Sequence, residues 1–156
     1  MKRVLLTGAS GGVGTRLRSL LKPLYPELVL SDIRQPADLR PDETFIPADL
    51  ADMAAVEKIC DGVDGIVHLG GYSVEGPWDT ILNANIIGCY NLFEAAHRKG
   101  VKRIVFASSN HVMGFHPRRT KIGIEAVPKP DTRYGLSKLF GEGLGALYAH
   151  KHGIGV

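Results

Sequence analysis

The sequence has little cysteine, little net charge and no long apolar run, and each shortage excludes a class of protein. Two cysteines in 156 residues, Cys60 and Cys89, are too few for the disulfide framework of a small secreted domain. They lack metal-ligand spacing, and no metal-binding set is expected anywhere in the chain. Each falls in a helix-like segment as a small buried residue, which suits a reducing cytoplasm. No apolar stretch approaches the roughly 20 residues of a membrane span, so no membrane partner is expected. The start, "MKRVLLTGAS", lacks the apolar stretch and cleavage site of a signal peptide. The formal net charge is only +3, with basic residues spread along the chain, so no nucleic-acid partner is expected. The densest basic run, "HPRRTK" at 116–121, reads as a solvated loop or as an attraction for an anionic substrate.

What is present is ordinary globular composition, 44% hydrophobic, in a chain long enough for one domain with a core. Short apolar runs alternate with amphipathic stretches. Strands are expected at 3–7, 27–32, 43–50, 64–71 and 102–109. Helices are expected from residue 12 to near Pro23, over 52–60, from Pro77 to 99 with Gly100 as its stop, and over 132–151. This alternation predicts an α/β fold: a Rossmann-type, doubly wound parallel sheet in the order 3-2-1-4-5. The end, "HGIGV" (152–156), reads as a turn and the first residues of a sixth strand that is cut short. The expectation is one Rossmann-type domain over 1–156.

Ligands of such sheets bind at the carboxyl ends of the strands, at the switch in strand order. "TGASGGVG" (7–14) lies there, between the first strand and the first helix. Gly8 permits a tight turn, Gly11 or Gly12 lets a pyrophosphate approach the backbone, and Gly14 lets the helix pack closely. The helix N-terminus adds unpaired N–H groups. Asp32, ending the second strand, reads as an acceptor for adenine ribose hydroxyls, favouring NAD over NADP, or as a turn aspartate. Arg34 beside it softens that preference. Asp49 and Leu50 are placed for the adenine edge. Leu69, Gly70 and Gly71 are placed where a cofactor would lie against the backbone.

"RIVFASSNHVMG" (103–114) ends its strand with Ser108, Ser109, Asn110 and His111, on the ligand side. "YGLSK" sets Tyr134 and Lys138 four residues apart, on one helix face. A free phenol, with a pKa of about 10, is a weak base at neutral pH, and a nearby ammonium favours its anion. His68 reads as a packed core histidine. Trp78 and Phe93 read as packing residues. On the residues alone Ser73 reads as a turn cap and His111 as a loop hydrogen-bonder.

The glycine loop, Asp32, "FASSNH" and YxxxK together resemble an extended short-chain dehydrogenase/reductase, a group related to NAD-dependent epimerases and dehydratases. The resemblance runs from Met1 to Val156 and implies one NAD-binding Rossmann domain over 1–156, with a carboxyl-terminal substrate-binding part absent, and the catalytic set Ser109, Tyr134 and Lys138. "DGIVHLGGYSVEGPW", "NIIGCYNLFEAA", "RIVFASSNH" and "RYGLSKLFGE" narrow it to the uronate dehydrogenase family. That likeness implies NAD held by Gly8, Ser10, Gly11, Gly12, Val13, Gly14, Asp32, Ile33, Asp49, Leu50, Leu69, Gly70, Gly71, Asn85, Tyr134 and Lys138. It implies that Asn85 supports the lysine through water. It implies a sugar acid touched by Ser73, Ser109, Asn110, His111 and Tyr134. The implied reaction is oxidation of a hexuronate, galacturonate or glucuronate, at C1 to an aldarolactone. The alternatives are a nucleotide-sugar epimerase or dehydratase, and a non-catalytic NAD-binding module or inactive fragment. The glycine-rich last helix is expected to pack closely on the long helix, and the two helices to carry a homo-oligomer interface.

Overall fold

The computed structural model describes residues 1–156. Five strands, β1 (Arg3–Thr7), β2 (Glu27–Ser31), β3 (Thr44–Phe45), β4 (Gly65–His68) and β5 (Arg103–Phe106), form one parallel sheet in the order β3-β2-β1-β4-β5. Both the order and the parallel pairing are those expected from the alternating sequence. The expected third strand, 43–50, is cut to two ladder residues. Pro47 has no N–H to give, yet Ile46 N–H still bonds Leu30 O and Ala48 N–H bonds Asp32 O. At the far edge, Gly155 pairs in parallel with Arg103, where a sixth strand would begin.

Helices cover the sheet unequally. Helix α1 (Gly12–Leu21) lies on one face, over a small core of Val4, Leu6, Ala9, Leu28 and Leu30. Helices α2 (Met53–Ile59), α4 (Gly88–Arg98) and α5 (Arg133–His152) bury the other, larger core, which includes Leu5, Ile66, Leu92, Phe93 and Ile104. Asp52 caps α2 by accepting from Ala54 N–H and Ala55 N–H, a bond set worth about 1 kcal/mol. Burial pushes both the Cys60 and Cys89 thiols up to about 12, so they behave as small apolar residues.

The expected long helix after Pro77 is three pieces. A short α3 (Trp78–Ile81) leads into a π-helical stretch, Leu82–Ile87, and then α4. One widened turn of this kind commonly marks a functional site. Trp78 is exposed rather than packed, whereas Phe93 is fully buried as expected. The glycines of α5 also differ from expectation. A Cβ on Gly141 would strike the Phe106 ring of β5, one on Gly145 would press on Val156, and Gly143 faces open space. Close packing on α4 therefore explains only part of that glycine content.

Candidate functional site

A cleft of about 760 Å³ runs along the carboxyl ends of the strands, where the order switches between β1 and β4. The glycine loop forms one wall. Gly8 sits at φ +70°, and a Cβ there would meet the Leu69 carbonyl carbon at 2.7 Å; one on Gly14 would meet Gly8 O at 2.1 Å. The loop and the start of α1 therefore close on each other only with glycine at these positions. Nothing lies within 4 Å of where a Gly12 Cβ would stand. Helix α1 begins with no side-chain cap and no acidic residue in its first turn. Its first N–H groups remain available to an anion.

Asp32 faces this loop. Its carboxylate accepts from Ser10 N–H at 3.0 Å and Ile33 N–H at 2.7 Å, which fixes its orientation. An ionised carboxylate has about four acceptor positions, so capacity remains for ribose hydroxyls. The Ser10 hydroxyl donates to Arg34 O at 2.6 Å, tying the loop to the end of β2. Gly8, Ser10, Gly11, Gly12, Val13, Gly14, Asp32, Ile33, Asp49, Leu50, Leu69, Gly70 and Gly71 all line the cleft. A bare helix N-terminus, an open glycine wall and an oriented carboxylate in one channel fit a dinucleotide.

The other end is built from β5 and α5. Thr132 caps α5 by accepting from Gly135 N–H at 2.8 Å, and Glu75 accepts from Tyr134 N–H at 3.1 Å. These bonds start the helix at the residue that puts Tyr134 and Lys138 on the cleft. Lys138 is 7% exposed, and its Nζ lies 5.7 Å from the Tyr134 ring centroid. Burial pushes the Lys138 pKa below that of a free lysine.

The structure brings together most of the residues expected at the site and sets others around it. Ser73, Tyr134 and Lys138 line the cleft, as does Ser108, whose hydroxyl donates to Glu142 on α5. Ser109 instead caps a single 3-10 turn, Asn110–Met113, by accepting from His111 N–H at 3.2 Å. Asn110 is exposed at the start of that turn. The His111 ring lies edge-on to Tyr134 at 5.9 Å, and its Nδ1 is 2.8 Å from Asp131 Oδ1. The hydrogen bond from His111 holds the Asp131 carboxyl below its ordinary pKa. The 3-10 turn thus stands against the Tyr134 end of α5.

Asn85 is buried in the π-helical stretch, with its amide committed elsewhere. Its Nδ2 donates to Tyr72 O and Ser137 Oγ, each at 2.9 Å, and its Oδ1 accepts from Tyr72 N–H at 2.7 Å. It fastens the loop after β4 to α5, where a water-bridged support of Lys138 was expected. His68 is a core histidine as expected: its Nδ1 is 2.8 Å from Thr7 Oγ1, and burial pushes its pKa down to about 3. Glu75, Asp131 and Glu142 escaped the sequence reading because their partners lie 20 to 59 residues away. No group of three or more His, Cys, Asp or Glu is placed to hold a metal ion.

Residues 4–156 match the NAD dependent epimerase/dehydratase family. The chain is 48% identical over 153 residues to a uronate dehydrogenase of Pseudomonas syringae pv. tomato, covering 97% of this chain and 56% of that one. A glucuronic acid dehydrogenase structure from Chromohalobacter salexigens superposes with a TM-score of 0.94 at 53% identity, covering 98% of this chain and 57% of that one. A mutant uronate dehydrogenase from Agrobacterium tumefaciens, complexed with NAD, gives a TM-score of 0.94 at 47% identity, over 99% and 58%. The chain therefore spans little more than half the length of these relatives. With its glycine loop, oriented Asp32 and Tyr134–Lys138 pair on one cleft, the chain belongs to the NAD-dependent epimerase/dehydratase family.

Proposed function

We propose that this chain uses NAD to oxidise a cyclic hexuronate, galacturonate or glucuronate, at C1 to an aldarolactone. The observation that carries the reading is Tyr134 and Lys138 on the same cleft as the glycine loop and Asp32, in a chain 48% identical to a uronate dehydrogenase. Residues 1–156 act as the NAD-binding domain in this reading. The N-terminus of α1 would hold the pyrophosphate and Asp32 the adenine ribose, with Asp49, Leu50 and the Leu69–Gly71 backbone lining the channel.

Oxidation breaks the O–H and C1–H bonds of the anomeric carbon and forms the lactone C=O. Bound NAD supplies the hydride acceptor. The proton leaves through Tyr134, whose phenolate oxygen takes it from the C1 hydroxyl. The Lys138 ammonium stabilises that phenolate by Coulomb attraction, which is stronger in a buried setting than in water. Ser109 hydrogen-bonds the reacting oxygen, and Ser73, Asn110 and His111 hold the sugar acid. Asp131 orients the His111 ring, and Asn85 holds α5 against the loop after β4.

We also propose that the chain associates with itself through its long helices. Leu136, Phe140 and Leu147 are exposed and fall on one face of α5. No helix is long and apolar enough to cross a membrane.

The reading is tested by incubating the chain with NAD and either uronate, following NADH by absorbance and the product by mass spectrometry. Uronate-dependent NADH and an aldarolactone are the expected result. Conversion of a nucleotide-sugar with no net NADH, and no response to either uronate, would replace this reading with epimerisation.

A further inference from the structure

We infer that Phe106 is a positioning residue for Lys138, its ring face serving as the seat on which the buried ammonium rests. The inference builds on the reading that Lys138 serves catalysis. It starts from a deficit around that side chain. Lys138 forms no ion pair with any carboxylate in the structure. Its buried titratable neighbours, Cys89 and His68, give it no counter-charge. Cys89 on α4 keeps its proton, its thiol pushed up to about 12 by burial. His68 on β4 stays neutral, pushed down to about 3 by its own burial and the nearby lysine. Tyr134, on the same helix, offers a ring at 5.7 Å.

The Phe106 ring is closer. Lys138 Nζ stands over its face, 5.0 Å from the centroid. An ammonium in this position is attracted by the ring quadrupole, and the attraction grows as water is removed. The ring is held in place from three sides. His68 packs at 5.7 Å and Phe93 meets it edge-on at 6.3 Å. On the third side, a Cβ at Gly141 would come within 2.3 Å of Phe106 Cζ, so only glycine leaves the ring its room. Gly141 lies three residues after Lys138 on α5. One helix face thus supplies both the cation and the gap that seats the ring beneath it.

The test reads the titration of Lys138 directly, by the NMR shift of its Cε in isotope-labelled protein, assigned with Lys138→Arg. Phe106→Leu keeps an apolar side chain and removes the π face, and Phe106→Tyr keeps the face. The expected result is a fall in the Lys138 midpoint of about 0.5 to 1.5 pH units in Phe106→Leu and none in Phe106→Tyr. A merely structural role would lower thermal stability without moving the midpoint. If Phe106→Leu does not fold, Gly141→Ala, which displaces the ring while keeping it in the sequence, is expected to give the same fall. An unchanged midpoint in whichever of these two variants folds, or an equal fall in Phe106→Tyr, overturns the inference. The readout needs no turnover, so loss of uronate oxidation alone would strike the proposed function and leave the seat of Lys138 standing.

Discussion

At the β1–β2 end of the cleft the groups on offer are backbone N–H groups and a few charged side chains, Asp32 foremost. At the β5–α5 end they are hydroxyls, a phenol, an ammonium and a neighbouring imidazole. The first end is a surface for holding, made by the absence of side chains. Gly8, Gly12 and Gly14 leave room or permit closure, and Asp32, Asp49 and Arg34 add charge along the wall. The second end is a place for moving a proton, and other side chains position several of the groups there. Thr132 and Glu75 set the start of α5, and Asp131 holds His111. The difference teaches that the two ends should fail separately: damage at one costs affinity, damage at the other costs chemistry.

The largest expected effect breaks the reactive end alone. Tyr134→Phe removes the proton acceptor, and uronate oxidation measured by absorbance is expected to fall by roughly 10²- to 10⁴-fold. NAD affinity should barely change. Turnover within a few fold of the parent would remove Tyr134 from the chemistry. Asp32→Ala attacks the holding end. Loss of charge-assisted hydrogen bonds worth about 1.5–3 kcal/mol each should weaken NAD binding by about tenfold or more and narrow the preference over NADP. Unchanged selectivity in a binding titration would take Asp32 out of the ribose site.

The ends were not equally legible in the sequence. The glycine loop is local: strand, loop and helix follow one another in 3–21, and the spacing carries the geometry. Sheet order was legible for the same reason, since short connections leave few ways to wind a parallel sheet. The reactive end is non-local. Tyr134 and Lys138 could be found because i and i+4 share a helix face. Asp131 opposite His111, and Glu142 beneath Ser108, depend on loops whose path no periodicity encodes. The π-helical stretch was invisible too, because one widened turn leaves the apolar period nearly unchanged. Arg18 of α1 is 2% exposed and paired with Asp38 and Glu43 from the loop before β3, a burial that no local pattern announces.

Two smaller effects concern what lies beneath both ends. His68 is held neutral with a pKa near 3, against 6.5 for the free side chain, because it is buried. Its contribution is present above pH 6.5 and is lost as pH falls from 6.5 toward 3, since only the unfolded chain takes up the proton. Denaturant unfolding across that window should lose up to about 1.4 kcal/mol per pH unit, and His68→Gln should flatten the slope. An equal slope in both proteins would assign the acid sensitivity elsewhere. The smallest effect is a silence: Cys60 and Cys89, buried and protonated, should not react with a thiol reagent at neutral pH until the protein unfolds. Rapid labelling of Cys89 in the native chain would show that the core near Lys138 opens.

The most direct test of the separation between the two ends is calorimetric titration of NAD into the parent chain, Tyr134→Phe and Asp32→Ala. The account predicts saturable binding to the parent, nearly the same affinity for Tyr134→Phe, and a clear loss for Asp32→Ala. No binding to the folded parent, or a loss in Tyr134→Phe as large as in Asp32→Ala, would contradict it.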